Sequence, residues 1–143
     1  SGWQSIRAGV GEGVLIGGYS RNFAMMFGSP YFSFDPNADY ILFIEDHERF
    51  SKPDAVSEYL AAIWQHPFMR RVRGFIFGCY NNAGTPPEEL VALLALIGER
   101  YGIPVAYTND IGHGTRHGVL PMGCRVRLDG GAGTLEFLER TIL

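Results

Sequence analysis

Two short stretches hold the residues whose types and spacing suit chemistry. Ile41-Leu42-Phe43-Ile44-Glu45-Asp46 puts a carboxylate where an apolar, strand-like run ends. Gly112-His113, followed by Leu120-Pro121-Met122-Gly123, puts an imidazole in a glycine-rich loop just after another short strand. An acid that orients an imidazole, and an imidazole that activates a hydroxyl, are two-thirds of an acyl-transfer triad. The third part is missing, because no serine here lies in a recognisable nucleophile turn. Ligands of parallel α/β sheets bind beyond the carboxyl ends of strands, which makes Glu45 a candidate acid against the plainer reading of a cap or turn residue. His113 lies between two glycines whose missing Cβ atoms free the ring to project into a cleft, although a polar loop residue explains it too. His47 and Glu48 are expected to face solvent.

Other chemistry-bearing residues read more simply. His117 is a weaker base on the same loop as His113. The two histidines with Asp110 invite a metal reading, but histidines four apart usually bind zinc from a helix, and this segment is glycine-rich. Cys79 and Cys124 lie in strand-like stretches without a C-x-x-C pair. Cys79 has no cation nearby in sequence to lower its pKa, so buried free thiols in a reducing cytoplasm are expected, with a cysteine hydrolase far behind. Gly9 to Gly13 and Gly17-Gly18 lack the Lys-Ser/Thr of a P-loop and read as turn and close-packing positions. Arg70, Arg71 and Arg73 read as a solvated junction. Tyr31, Phe32, Phe34 and Tyr40 suit core packing or an interface as well as a substrate wall.

These residues must be positioned by the elements around them. The chain has 143 residues, 46% hydrophobic and 19% charged, with a net charge of -3. That suits one soluble globular domain over residues 1–143 and gives no reason for a nucleic-acid partner. No apolar run approaches the roughly 20 residues of a membrane span. The start at Ser1-Gly2-Trp3 reads as a processed product or a piece of something longer.

Glu12 to Ile16 predicts a strand ending in Gly17-Gly18, then a short helix capped by Ser20 and closed by Gly28 at positive φ. Tyr40 to Ile44 predicts a strand buried on both faces. Pro53 opens a helix whose apolar stripe is Val56, Tyr59, Leu60, Ile63 and Trp64, and Pro67 ends it. Gly74 to Cys79 predicts a strand. Thr85-Pro86-Pro87-Glu88 reads as a capping box for a helix that buries Leu90, Leu93, Leu94, Ile97 and Tyr101 and stops at Gly102. Pro104 to Tyr107 predicts the next strand. The middle is therefore β-α-β-α-β with parallel strands. Cys124 to Leu128, the turn Asp129-Gly130-Gly131 and Thr134 to Leu138 predict an antiparallel hairpin able to pair with the first strand. The inferred architecture is α/β, with a parallel layer and an antiparallel layer.

Taken in order, these motifs resemble the carboxy-terminal domain of the serine peptidase family of LD-carboxypeptidases and microcin C immunity peptidases, peptidase family S66. The resemblance rests on Trp3, Gly13 to Gly18, Gly28-Ser29-Pro30-Tyr31, Ile41 to Asp46, Gly74 to Gly78, Gly112-His113, Leu120-Pro121-x-Gly123 and Leu128-Asp129. Asn109 to His113 and Gln65-His66-Pro67-Phe68 look closer to the microcin-immunity branch. The resemblance implies a small swivelling β/β/α domain with packed helices, Glu45 as triad acid and His113 as triad base. It further implies that the serine and oxyanion hole come from a separate amino-terminal domain, so that the isolated chain is inactive. The implied substrate is a peptide, such as a murein tetrapeptide losing its terminal D-alanine, or a peptidyl-nucleotide. No metal or organic cofactor is implied, no nucleic acid or membrane, and a cytoplasmic homodimer is expected. Tyr19-Ser20 departs from the Asn-Leu common in the family, and Gly114 to Gly118 is unusually polar. The competing reading is a non-enzymatic binding or dimerisation module that keeps the fold.

Overall fold

The computed structural model describes residues 2–140. Its elements are β1 (Trp3–Arg7), β2 (Val10–Tyr19), α1 (Ser20–Met26), β3 (Tyr40–Glu45), α2 (Pro53–Trp64), a 3-10 turn at Pro67–Arg71, β4 (Val72–Cys79), α3 (Glu88–Tyr101), β5 (Val105–Gly112), β6 (Arg125–Asp129) and β7 (Thr134–Phe137). All seven strands join in one mixed sheet of order β1-β5-β4-β3-β2-β6-β7. The centre, β2 to β5, is parallel, as helical crossovers require. β1 flanks β5 antiparallel, while β6 pairs antiparallel with β2 and β7 with β6. The α/β class is thus as expected, and the parallel and antiparallel parts are continuous edge to edge.

Alternation along the strands splits the core in two. Leu42, Ile44, Phe75, Phe77, Val105 and Tyr107 pack with Val56, Leu60 and Ile63 of α2 and Leu90, Leu94 and Ile97 of α3. Ile41, Phe43, Ile76 and Ala106 point to the other face and meet Leu15, Val126 and Leu128. That second face carries none of the three helices. The sheet covers it by curling, so that Trp3 of β1 and Leu135 and Phe137 of β7, at opposite ends of the strand order, pack on one cluster. The curl brings the β6–β7 turn close enough to β1 that a Cβ at Gly133 would lie 3.0 Å from the Trp3 Cβ.

Several local expectations are corrected. β2 runs through Gly17-Gly18 to Tyr19, with Tyr19 in register with Glu45. Helix α1 takes Tyr19 as its N-cap, because the Ser20 hydroxyl bonds Asp46 rather than the helix backbone. It ends at Phe27 in right-handed geometry, and Gly28 is not among the glycines of positive φ. Thr85 makes no capping box. Its carbonyl accepts from Asn81 Nδ2 at 2.9 Å, and α3 starts at Glu88 behind Pro87. Gly102 does close α3 in the left-handed region, at φ 65°. β1 is a strand the sequence reading lacks, and β5 continues to Gly112, five residues past Tyr107. No helix among the described residues is long and apolar enough to cross a membrane.

Candidate active site

The parallel strands all finish on one edge. Tyr19 ends β2, Glu45 ends β3, Cys79 ends β4 and Gly112 ends β5, so the residue after each enters a shared rim. Glu45 and His113, 68 positions apart, meet there with Glu45 Oε2 and His113 Nδ1 at 3.3 Å. The Glu45 side chain keeps 22% of its exposure and the His113 side chain 42%. Nδ1 faces the carboxylate, and Nε2 has no hydrogen-bond partner among the described residues. In its Nδ1–H tautomer the ring donates to Glu45 and presents a basic Nε2, the geometry a general base needs.

Gly112 makes the approach possible. Its φ is +112°, and a Cβ there would fall 2.9 Å from both Glu45 Oε2 and the Cys79 nitrogen. A side chain would therefore push directly on the acid. Within β2, Gly17 has no room for a Cβ beside the Phe43 carbonyl, in keeping with a close-packing role.

His113 also sits among rings. Tyr19 meets it edge-to-face with centroids 5.5 Å apart, and His47 and Phe50 lie 6.2 and 6.4 Å away. His47 is 5% exposed, which overturns its expected solvent position, while Glu48 does face solvent. The reason is local: the His47 amide donates to Asp46 Oδ1 at 2.6 Å, and its Nδ1 accepts from the Arg49 amide at 3.2 Å. Asp46 is fully buried and also receives the Tyr19 and Ser20 hydroxyls, Tyr19 at 2.8 Å. Burial, and then the bond to Asp46, push the Tyr19 phenol up to about 12. Asp46, Tyr19, Ser20 and His47 are thus site residues that sequence reasoning did not assemble. The usable signal was the acidic dipeptide Glu45-Asp46, whose two side chains leave a strand end in different directions.

A cleft of about 300 Å³ opens beside His113, lined by Tyr19, Arg21, Asn22, Phe50, Ser51 and Tyr59. A larger hollow of about 430 Å³ lies between α2 and α3 against Pro53, Asp54, Ser57, Glu89 and Leu93, away from the pair.

The other candidates are placed as follows. His117 is exposed, and Asp110 pairs with Arg116 at 2.8 Å. Among the described residues no three His, Cys, Asp or Glu side chains gather as metal ligands. Cys79 is buried, its thiol against the Asn81 carbonyl, and Cys124 is a separate free thiol. Arg71 and Arg73 hold Asp39 at 2.7 and 2.9 Å, at the junction leading into β3. Phe32, Phe34 and Tyr40 pack around Phe68, while Tyr31 is 87% exposed.

Fold and site together define an α/β domain that presents a carboxylate–imidazole pair at the carboxyl edge of its parallel strands. Residues 12–128 match the LD-carboxypeptidase C-terminal domain, and the chain belongs to that family. Among curated relatives, a provisionally named carboxypeptidase of Treponema pallidum (strain Nichols) is 30% identical over 90% of this chain and 37% of its own length. A second, from Bacillus subtilis (strain 168), is 25% identical over 90% of this chain and 39% of its own. Among solved structures, an MccF-like protein from Bacillus anthracis str. Ames superposes with a TM-score of 0.81 at 24% identity, over 96% of this chain and 43% of that one. The muramoyltetrapeptide carboxypeptidase of Oxalobacter formigenes gives 0.72 at 25% identity, over 90% of this chain and 44% of that one. The chain therefore spans about two-fifths of the length of the relatives it matches.

Proposed function

We propose that this domain supplies the acid and base of a serine carboxypeptidase, Glu45 and His113, to a serine carried by a separate amino-terminal domain. One observation carries the reading: Glu45 Oε2 lies 3.3 Å from His113 Nδ1 at the carboxyl edge of the sheet, with Nε2 left open. A distance well beyond hydrogen-bond reach would have favoured a binding module instead. In the reaction, His113 Nε2 takes the proton of the attacking hydroxyl and later delivers it to the leaving amine. Glu45 holds the tautomer and stabilises the imidazolium that forms between these steps. The bond cut is an amide, in a murein-type peptide with a D-residue at its end or in a peptidyl-nucleotide. Relatives that are about 2.2 to 2.5 times as long support the need for a further domain. The two free thiols fit a reducing cytoplasm.

The test joins the domain to its upstream serine-bearing part and measures hydrolysis of an L,D-tetrapeptide and of a peptidyl-sulfamoyl nucleoside. His113→Ala and Glu45→Gln are each expected to lower kcat about 10³-fold or more. The 143-residue chain alone is expected to hydrolyse neither. A joined protein that keeps its full rate without the imidazole would overturn the assignment.

A further inference from the structure

Asp46 takes no part in the Glu45–His113 contact, yet it is fully buried. A carboxylate buried at a sheet edge is costly unless donors converge on it, and here three do. Tyr19 Oη donates to Oδ1 at 2.8 Å, the His47 amide donates to Oδ1 at 2.6 Å, and Ser20 Oγ donates to Oδ2. Two of the three are side chains of consecutive residues at the β2–α1 junction. Tyr19 and Ser20 are thereby tied to one anion and behave as a unit.

That unit faces His113. The imidazole needs outside support, because glycines flank it on both sides and its side chain is 42% exposed. A single contact to Glu45 leaves the ring free to turn about its own axis. Of the three rings around it, Phe50 is 72% exposed, and His47 spends its Nδ1 on the Arg49 amide. Tyr19 makes the shortest ring contact of the three, 5.5 Å at 66°, and its far end is fixed to a buried group. We infer that Tyr19 is a positioning residue that holds the His113 ring toward Glu45, with Asp46 as its anchor and Ser20 as the tether that fixes the anchor. Because its hydroxyl is committed to Asp46, Tyr19 offers the cleft a ring rather than a donor.

The inference rests on His113 serving as the base, so it is tested by two independent readouts. In the 143-residue chain, imidazole nitrogen NMR of His113 is expected to show the Nδ1–H tautomer in the neutral form. Tyr19→Phe keeps the ring and removes the anchor, and Tyr19→Leu removes both. Each should lower the Nδ1–H fraction, Tyr19→Leu more. In the joined protein Tyr19→Phe should lower kcat about 10-fold and leave KM within about twofold, the signature of a misplaced base rather than a lost substrate contact. Should Tyr19→Leu fail to fold, the near-isosteric Tyr19→Phe decides alone. An unchanged tautomer in a folded Tyr19→Phe, or a change confined to KM, would overturn the inference. A joined wild-type protein without activity would instead overturn the peptidase reading, and the tautomer measurement would still decide the contact.

Discussion

Gly112 is the residue on which the acid–base contact leans. At φ +112° it adopts backbone that side-chain-bearing residues rarely reach, and its missing Cβ leaves Glu45 Oε2 room. Gly112→Ala should cost about 1–3 kcal/mol of stability from the backbone alone. It should also push Glu45 off His113, so activity of the joined protein should fall further than the lost stability explains. Urea denaturation beside kcat at a temperature where the variant stays folded checks both halves. At this scale the sequence was partly legible. Glu45 and His113 stood out because a strand end and a glycine-flanked loop are visible in one dimension. The roles of Asp46 and Tyr19 were not, since the two meet across neighbouring strands in parallel register.

The helices show which contacts hold the elements. Val56, Leu60 and Ile63 of α2 are completely buried against the sheet, and the partly covered Tyr59 and Trp64 complete the stripe. Leu60→Ala should destabilise by about 2–5 kcal/mol, because a close-packed site relaxes little around the void. Leu96→Ala on α3, where the side chain is 62% exposed, should stay within about 0.5 kcal/mol. Paired denaturant titrations of the two variants test the contrast. Periodicity revealed these helices and the apolar strands β3 and β4. It missed β1 and the second half of β5, since Thr108, Asn109 and Asp110 carry no apolar alternation, and what makes that segment a strand is pairing, Thr108 with Trp3 and Gly112 with Cys79. The Ser20 cap failed for a related reason, since its hydroxyl is spent on the tertiary partner Asp46, whereas the Gly102 cap, set by local backbone, held.

For the molecule as a whole, three of the seven tyrosines set an alkaline limit. Tyr19, Tyr80 and Tyr107 are each raised to about 12, chiefly because burial disfavours the phenolate. Tyr80 donates to the Ser51 carbonyl at 2.5 Å, and the Tyr107 hydroxyl accepts from the Tyr80 amide at 2.9 Å. A folded pKa above the unfolded value of about 10 means the unfolded chain loses its protons first. Their stabilisation is therefore fully present below about pH 10 and is lost as the pH rises toward 12. Circular dichroism and tyrosinate absorbance followed together should show these three ionising late, in step with loss of structure. Phenolates forming early in a chain that stays folded would contradict this.

From its amino acids alone the chain declared its class, the run of parallel strands joined by helices, and Glu45 and His113 as candidate site residues. Those features are local, because apolar spacing and glycine placement act within a few residues. Only the tertiary structure decided that the sheet curls to cover its helix-free face and that a glutamate and a histidine 68 positions apart face each other. It alone showed that a buried aspartate draws Tyr19 and Ser20 together beside them. Strand order and register set those distances, and they follow from how the whole chain buries its apolar surface, which no single segment encodes.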